Sequence, residues 1–402
     1  MKPRLIKASR VIQVSLIFFA SHVCAQDLYC NSAGFKEAVA KSNLVDAYFS
    51  PEHLINRNEL ESMQTRLQHV DVISYGFGTI RNNFLELSKI DKHNIHLLNK
   101  WRWENARDNG EPEFALVLSI GGWGGRHSFT TFLTNPNKRS IFVNSASMLV
   151  NNNNLDGIDV DWENVSLTSK AEQKGVSKLM RQLKNQLPSG SCVSNAVPAT
   201  PFYWNQFPSA ESWNDNVDWS VVMGYDLYGT FGPFTELASN LYEQKKAKVP
   251  DSDYHYNYPE SVSVAKAVVH YKNQGLSTSK IILGVPFYCH SYYTDSADAG
   301  GYRQRVYDAN ISSQIPFNQA SGIWERGKKA HFNDGSAYSL NKIHGTTGTA
   351  KYQFLSCETP NSIAKKVKFA KHEKLAGMSM WELSQDVNYE DSNSLLRAMT
   401  NQ

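Results

Sequence analysis

The segment LDGIDVDWEN, residues 155–164, carries Asp156, Asp159, Asp161 and Glu163 among Gly, Ile, Val and Trp. The intervening residues favour a buried strand, on which alternate side chains share a face. Asp159, Asp161 and Glu163 therefore face one way, and Ile158, Val160 and Trp162 the other. Same-face neighbours rise by about 6.6 Å per two residues, so the three acids form a ladder with Glu163 at the top. Burial and like charge both raise carboxyl pKa values, and such a ladder retains a proton. A carboxylic acid kept neutral near neutral pH is a general acid, and Glu163 is the one a substrate reaches. Asp156 has the opposite parity and is expected to bond backbone. A hard cation would suit three carboxylates, but the rungs are spaced too widely to grip one small ion, so no metal and no cofactor is expected. A structural ion-pair network would need basic partners, and this strand has no Lys or Arg.

The elements that would position the ladder recur along the chain. Short β-branched or aromatic runs lie at 44–50, 70–78, 114–122, 155–163, 192–199, 217–226, 280–288 and 375–383. Helical periodicity appears between most of them, as at 176–187, 263–274 and 362–373. Eight strands alternating with helices predict an α/β fold, a (β/α)8 TIM barrel. Polar residues at the C-terminal ends of nearly all eight strands favour the barrel over an open doubly wound sheet, which has a single crevice. Two connections are long, 227–262 and 290–358. The second is read as a small inserted α+β subdomain, because a stretch of that length needs structure of its own.

The chain has 402 residues and is 41% hydrophobic, with 12% aromatic residues. Lys2, Arg4, Lys7 and Arg10 precede an apolar run, and Val23 and Ala25 suit signal-peptidase cleavage before Gln26. Residues 1–25 are thus expected to be a cleaved leader and 26–402 the catalytic domain, secreted or periplasmic and with no membrane segment. The leader holds four of the 41 Lys and Arg and none of the 38 Asp and Glu, leaving 37 bases against 38 acids. The basic balance of the full chain is therefore no argument for nucleic-acid binding. Four cysteines remain, Cys30, Cys192, Cys289 and Cys357, and an exported protein would pair them. Three pairings are possible. The preferred one joins Cys289 to Cys357, stapling the ends of the long insertion, and leaves Cys30 with Cys192.

DGIDVDWE resembles the D-x-x-D-x-D-x-E signature of glycoside hydrolase family 18, the chitinase family. SIGGWGG (119–125), MGYD (223–226), GVPFY (284–288) and GMSMWEL (377–383) resemble the family's segments on strands three, six, seven and eight. Their order fits across about residues 44–390. The resemblance implies hydrolysis of β-1,4-linked N-acetylglucosamine polymers by a retaining, substrate-assisted mechanism, outside the usual two-carboxylate scheme. Glu163 would be acid and then base, Asp161 would clamp the acetamide N–H, and Asp159 would share a proton with Asp161. Tyr225 would aim the acetamide oxygen, with Met223 beneath it, and Asp226 would contact the sugar. Trp381 would floor the distorted sugar, Tyr48 and Ser119 would line the base near Asp159, and Trp123 would stack on the next sugar. Ser379 stands where the family usually has Met, and the expectation is that it touches none of the acids.

Two other readings share the motif. One is an endo-β-N-acetylglucosaminidase acting on N-glycans. The other, of a different class, is a chitin-binding lectin or toxin-complex component with a silent site. The expected partner in the leading reading is chitin or a chito-oligosaccharide.

Overall fold

The computed structural model describes residues 29–163, 169–230, 232–244, 262–307, 312–343 and 351–401, without the side chain of Arg126. The expected leader at 1–25 and much of the long connection at 227–262 lie outside the described residues.

The described residues form fourteen strands. In order they are β1 (Leu44–Phe49), β2 (Val72–Arg81), β3 (Phe84–Glu86), β4 (Ala115–Gly121), β5 (Gly157–Asp161), β6 (Cys192–Pro198) and β7 (Trp219–Met223). They continue with β8 (Ile281–Pro286), β9 (Tyr288–Thr294), β10 (Ser313–Pro316), β11 (Lys328–His331), β12 (Ala337–Lys342), β13 (Tyr352–Cys357) and β14 (Gly377–Trp381). Eight of them pair in parallel in the order β1-β14-β8-β7-β6-β5-β4-β2, and a β1–β2 ladder closes the barrel. These eight match the eight strand segments read from the sequence. The short β3 was not expected; it folds back antiparallel on the end of β2.

Strand parity divides the apolar residues into two cores. Leu44, Val72, Ala115, Val117, Cys192, Trp219, Val221 and Ile282 pack inside the barrel. Val45, Ile73, Leu116, Leu118, Ile158, Val160, Trp162, Val193, Met378 and Met380 face the helices in a much larger cluster. The helices start where their sequences supply caps. Ser169 and Glu172 form a reciprocal capping box ahead of Lys170–Gln186, and Ser88 with Asp91 does the same for Lys89–Glu104. Each box satisfies backbone donors that a helix start leaves free.

The strand expected at 280–288 breaks at Phe287, whose amide donates to the Trp381 carbonyl at 2.7 Å. Tyr288 then opens a second sheet. This sheet is antiparallel in the order β10-β9-β13-β12-β11, with the helix Phe317–Arg326 between β10 and β11. Its own core includes Tyr292, Tyr302, Tyr338, Leu340 and Phe354. The disulfide Cys289–Cys357 ties β9 to β13, and Cys30–Cys192 anchors the N-terminal segment to the inside of β6. Among the described residues no helix is long and apolar enough to cross a membrane.

Candidate active site

Strand β5 places Asp159 and Asp161 on its inward face, while Ile158 and Val160 join the outer core. The strand ends at Asp161 rather than at 163. Glu163 therefore sits on the loop beyond the strand, half-buried at the mouth. Two glycines let β4 pass close to this point. A Cβ on Gly121, whose φ is 118°, would fall 2.0 Å from the Asp161 carbonyl oxygen. The Gly122 amide donates to that same carbonyl at 2.9 Å. The glycines of SIGG are thus required by the close approach of β4 to the acid-bearing strand.

The ladder is asymmetric. Asp159 is fully buried and accepts three hydroxyl hydrogen bonds: from Tyr48 at 3.0 Å, Ser119 at 2.7 Å and Ser194 at 2.8 Å. Asp161 is also buried, yet its Oδ1 has no partner. The partners of Asp159 are therefore hydroxyls, not Asp161. Burial raises the pKa of Asp159, opposed by its three hydroxyl donors. Asp161 is pushed well above the carboxylate range by burial, then by the charges of Glu163 and Asp159. Burial, followed by the charge of Asp226, pushes Glu163 up to about 7. A carboxyl group at that position keeps its proton near neutral pH and can still release it, as a general acid and base requires.

Tyr225 and Asp226 follow β7 at the rim, and Asp226 has a φ of 49°. Its carboxylate accepts from Tyr288 Oη at 2.7 Å, His290 Nε2 at 2.6 Å and Gln314 Nε2 at 3.3 Å. Burial opposes its ionisation, but these bonds outweigh burial and hold its pKa below the usual range. Tyr225 is half-buried at the wall of the cleft and packs edge-on to Tyr288, with ring centroids 6.2 Å apart. Burial drives its phenol well above its ordinary value.

A cleft of about 520 Å³ lies over this group, lined by Trp123, Glu163, Tyr203, Met223, Tyr225 and Asp226 among others. Trp123 is 60% exposed, and its ring meets Tyr203 edge-on at 6.2 Å. Trp381, at the end of β14, lies against Tyr48 at 5.4 Å and stacks on Phe77 at 5.8 Å.

Several residues were missed by the sequence reading. Ser194 is one donor to Asp159. His290 and Gln314 come from the second sheet, where no site residue was expected. Asp46 on β1 is a fourth inward carboxylate, fully buried. Ser379 donates to this fourth carboxylate at 2.7 Å, because it faces into the barrel opposite Asp46 while Met378 and Met380 point out. Asp156, by contrast, bonds backbone as expected, accepting from the Leu116 amide at 2.7 Å, and it also pairs with the buried Arg102. Among the described residues, no group of three or more His, Cys, Asp or Glu is arranged to hold a metal ion.

An eight-stranded α/β barrel with stacked carboxylates under a rim acid defines a glycosidase-type site. Residues 45–386 match the sequence model of Glycosyl hydrolases family 18, and the chain belongs to that family. It is 26% identical over 331 residues to Chitinase A1 of Niallia circulans, covering 75% of this chain and 44% of that protein. It is 26% identical over 294 residues to Chitinase 1 of Aphanocladium album, covering 69% of this chain and 63% of that protein. The chain thus spans about half to two thirds of the length of these relatives. The fold resembles that of the class V chitinase from Nicotiana tobaccum, solved as a mutant in complex with NAG4. The TM-score is 0.71 at 18% identity, over 89% of this chain and 98% of that one.

Proposed function

We propose that this protein is an exported chitinase that hydrolyses β-1,4-linked N-acetylglucosamine chains with retention, using the substrate's own acetamide as nucleophile. The observation that carries this reading is the pairing of Glu163, raised to about 7, with Asp161, whose buried Oδ1 lacks a partner. A buried acceptor without a donor is costly, and a substrate N–H would supply one.

In this reading Glu163 protonates the glycosidic oxygen as the bond to the anomeric carbon breaks. The acetamide carbonyl oxygen closes on that carbon to give an oxazolinium ion. Asp161 accepts from the acetamide N–H and stabilises the positive charge that develops there. Tyr225 donates to the acetamide oxygen and keeps it in line, and Met223 packs below. Asp159, held by Tyr48, Ser119 and Ser194, exchanges a proton with Asp161 as the latter turns to the sugar. Glu163, now ionised, takes a proton from the incoming water, which opens the ring with overall retention. Trp381 provides the apolar floor, Trp123 stacks on a neighbouring sugar, and Asp226 contacts the sugar at the rim. Export is supported by the basic and apolar segment at 2–25 and by two disulfides, which persist in oxidising compartments.

Product analysis on soluble chitin oligomers, with the anomer first released followed by NMR, tests this function. Shorter oligomers released first as the β-anomer are expected. Release of glycans only from a high-mannose glycoprotein points instead to N-glycan hydrolysis. Binding without turnover points to a lectin or toxin-complex component.

A further inference from the structure

The mechanism above leaves one interior carboxylate unused. Asp46 precedes Tyr48 by two residues on β1, so both face into the barrel. Register sets Asp46 opposite Ser379 on β14, and Ser74 on β2 flanks it from the other side. Ser74 Oγ donates to Oδ1 at 2.7 Å and Ser379 Oγ donates to Oδ2 at 2.7 Å. All three residues are buried to within 1% of full enclosure. Asp46 is therefore locked in orientation across three adjacent strands. Tyr48 connects this layer to the one above, since it donates to Asp159.

Among the described residues, the surroundings hold acids and hydroxyls but no cation. The titratable groups around Asp46 are Tyr48 on its own strand, Asp159 on β5 and Tyr225 beyond β7. Apart from Arg81, at the exposed end of β2, no barrel strand carries Lys, Arg or His. Two ionised carboxylates here would repel with no counter-charge, so they share protons. Burial pushes Asp46 up to about 7, opposed by the hydroxyl bonds of Ser74 and Ser379 and reinforced by the charge of Asp159.

We infer that Asp46, clamped by Ser74 and Ser379, is a positioning residue that sets how many protons the ladder above it keeps. When Asp46 is ionised, its charge favours the nearest proton on Asp159, and Asp161 is left as the anion that meets the substrate. This inference rests on the chitin-hydrolysing reading for its kinetic readout, though not for its thermal one.

The test is the pH profile of kcat/KM on a chromogenic chito-oligosaccharide, for the wild type and Asp46→Asn. Removing a buried negative charge lowers the pKa of every neighbouring carboxyl. The alkaline side of the profile, where Asp46 is ionised, is expected to move to lower pH by about half a unit or more. Ser379→Ala, a milder change, removes a donor that favours ionised Asp46. Asp46 then keeps its proton to higher pH and presents less charge, so the profile moves the same way by a smaller amount. Ser379→Ala carries the test if Asp46→Asn does not fold. Profiles superimposable on the wild type overturn the inference while leaving the proposed function intact. If the wild type does not turn over the oligosaccharide, the functional reading has failed and thermal unfolding decides on Asp46. The folded value of about 7 lies above the ordinary carboxylate value of 3.8, so this group costs stability increasingly as pH rises between them. The Tm of Asp46→Asn relative to wild type should then be higher at pH 8 than at pH 4. A difference that is flat with pH overturns the inference.

Discussion

Asp159 and Asp161 lie two residues apart on one face of β5, yet Asp159 accepts three hydroxyl hydrogen bonds while Asp161 keeps a buried oxygen without a donor. The fold satisfies the lower acid completely and leaves the upper one for something the barrel does not contain. In the proposed mechanism this asymmetry divides structural work from substrate work within a single strand.

Asp161→Asn should therefore trade function for stability. The folded pKa of Asp161 lies well above its unfolded value, so the wild type loses stability from this group as pH rises through that interval. Asn removes the penalty, and Tm should rise by about 2 °C or more at pH 8, with a smaller gain at pH 4. Turnover should fall by about 10²-fold or more, because the acetamide loses its charged partner. Thermal scans at the two pH values, with kcat on chitin oligomers, check both halves. A variant that is less stable at pH 8 contradicts the argument.

Asp226 tunes the acid across the cleft. Burial, then the charge of Asp226, brings Glu163 to about 7, and loss of that proton should produce the alkaline limb of kcat/KM. Activity should decline above about pH 7. Asp226→Asn removes the charge and should draw the alkaline limb down by about half a pH unit. An alkaline limb that stays in place shows that another group controls it.

Arg102 and Asp156 hold the bottom of the same strand, away from the residues that line the cleft. Their side chains are 3% and 6% exposed, and Arg102 also bonds the carbonyls of Phe114 and Asn154. Asp156→Ala leaves the guanidinium buried without its anion, which costs about 3–5 kcal/mol. Denaturant unfolding should show this loss. The pH profile of the folded fraction should keep its wild-type shape.

The Cys30–Cys192 bridge spans 162 residues of sequence. Closing so long a loop restricts the unfolded chain, and removing the bridge by the double change Cys30→Ser and Cys192→Ser should cost about 2–5 kcal/mol. KM on chitin oligomers should not change, since both cysteines lie in the barrel interior below the acids. A double variant as stable as wild type contradicts the assignment of this bridge as a stabilising staple.

Much of this arrangement is legible from local pattern alone. Parity in DGIDVDWE puts three acids on one side, and recurrent β-branched or aromatic runs give the eight barrel strands. What local pattern does not carry is pairing between distant strands. Asp46 has a visible signal, an acid in the apolar run LVDAYFS at the same parity as Tyr48. Its meaning depends on Ser74 and Ser379, which are brought to it only by barrel closure. Ser194 is hidden in the same way, a small hydroxyl in an apolar strand until β6 is set beside β5. His290 and Gln314 are further from reach, because the antiparallel β9–β10 pairing is what aims both at Asp226.

The most direct test of the central claim is turnover by Glu163→Gln on soluble chitin oligomers, with oligomer binding measured by calorimetry on the same sample. The substitution keeps the size of the side chain and removes its transferable proton. The account predicts a fall in kcat of about 10³-fold or more with binding retained. Turnover within about tenfold of the wild type contradicts the assignment of Glu163 as the acid and base of this site.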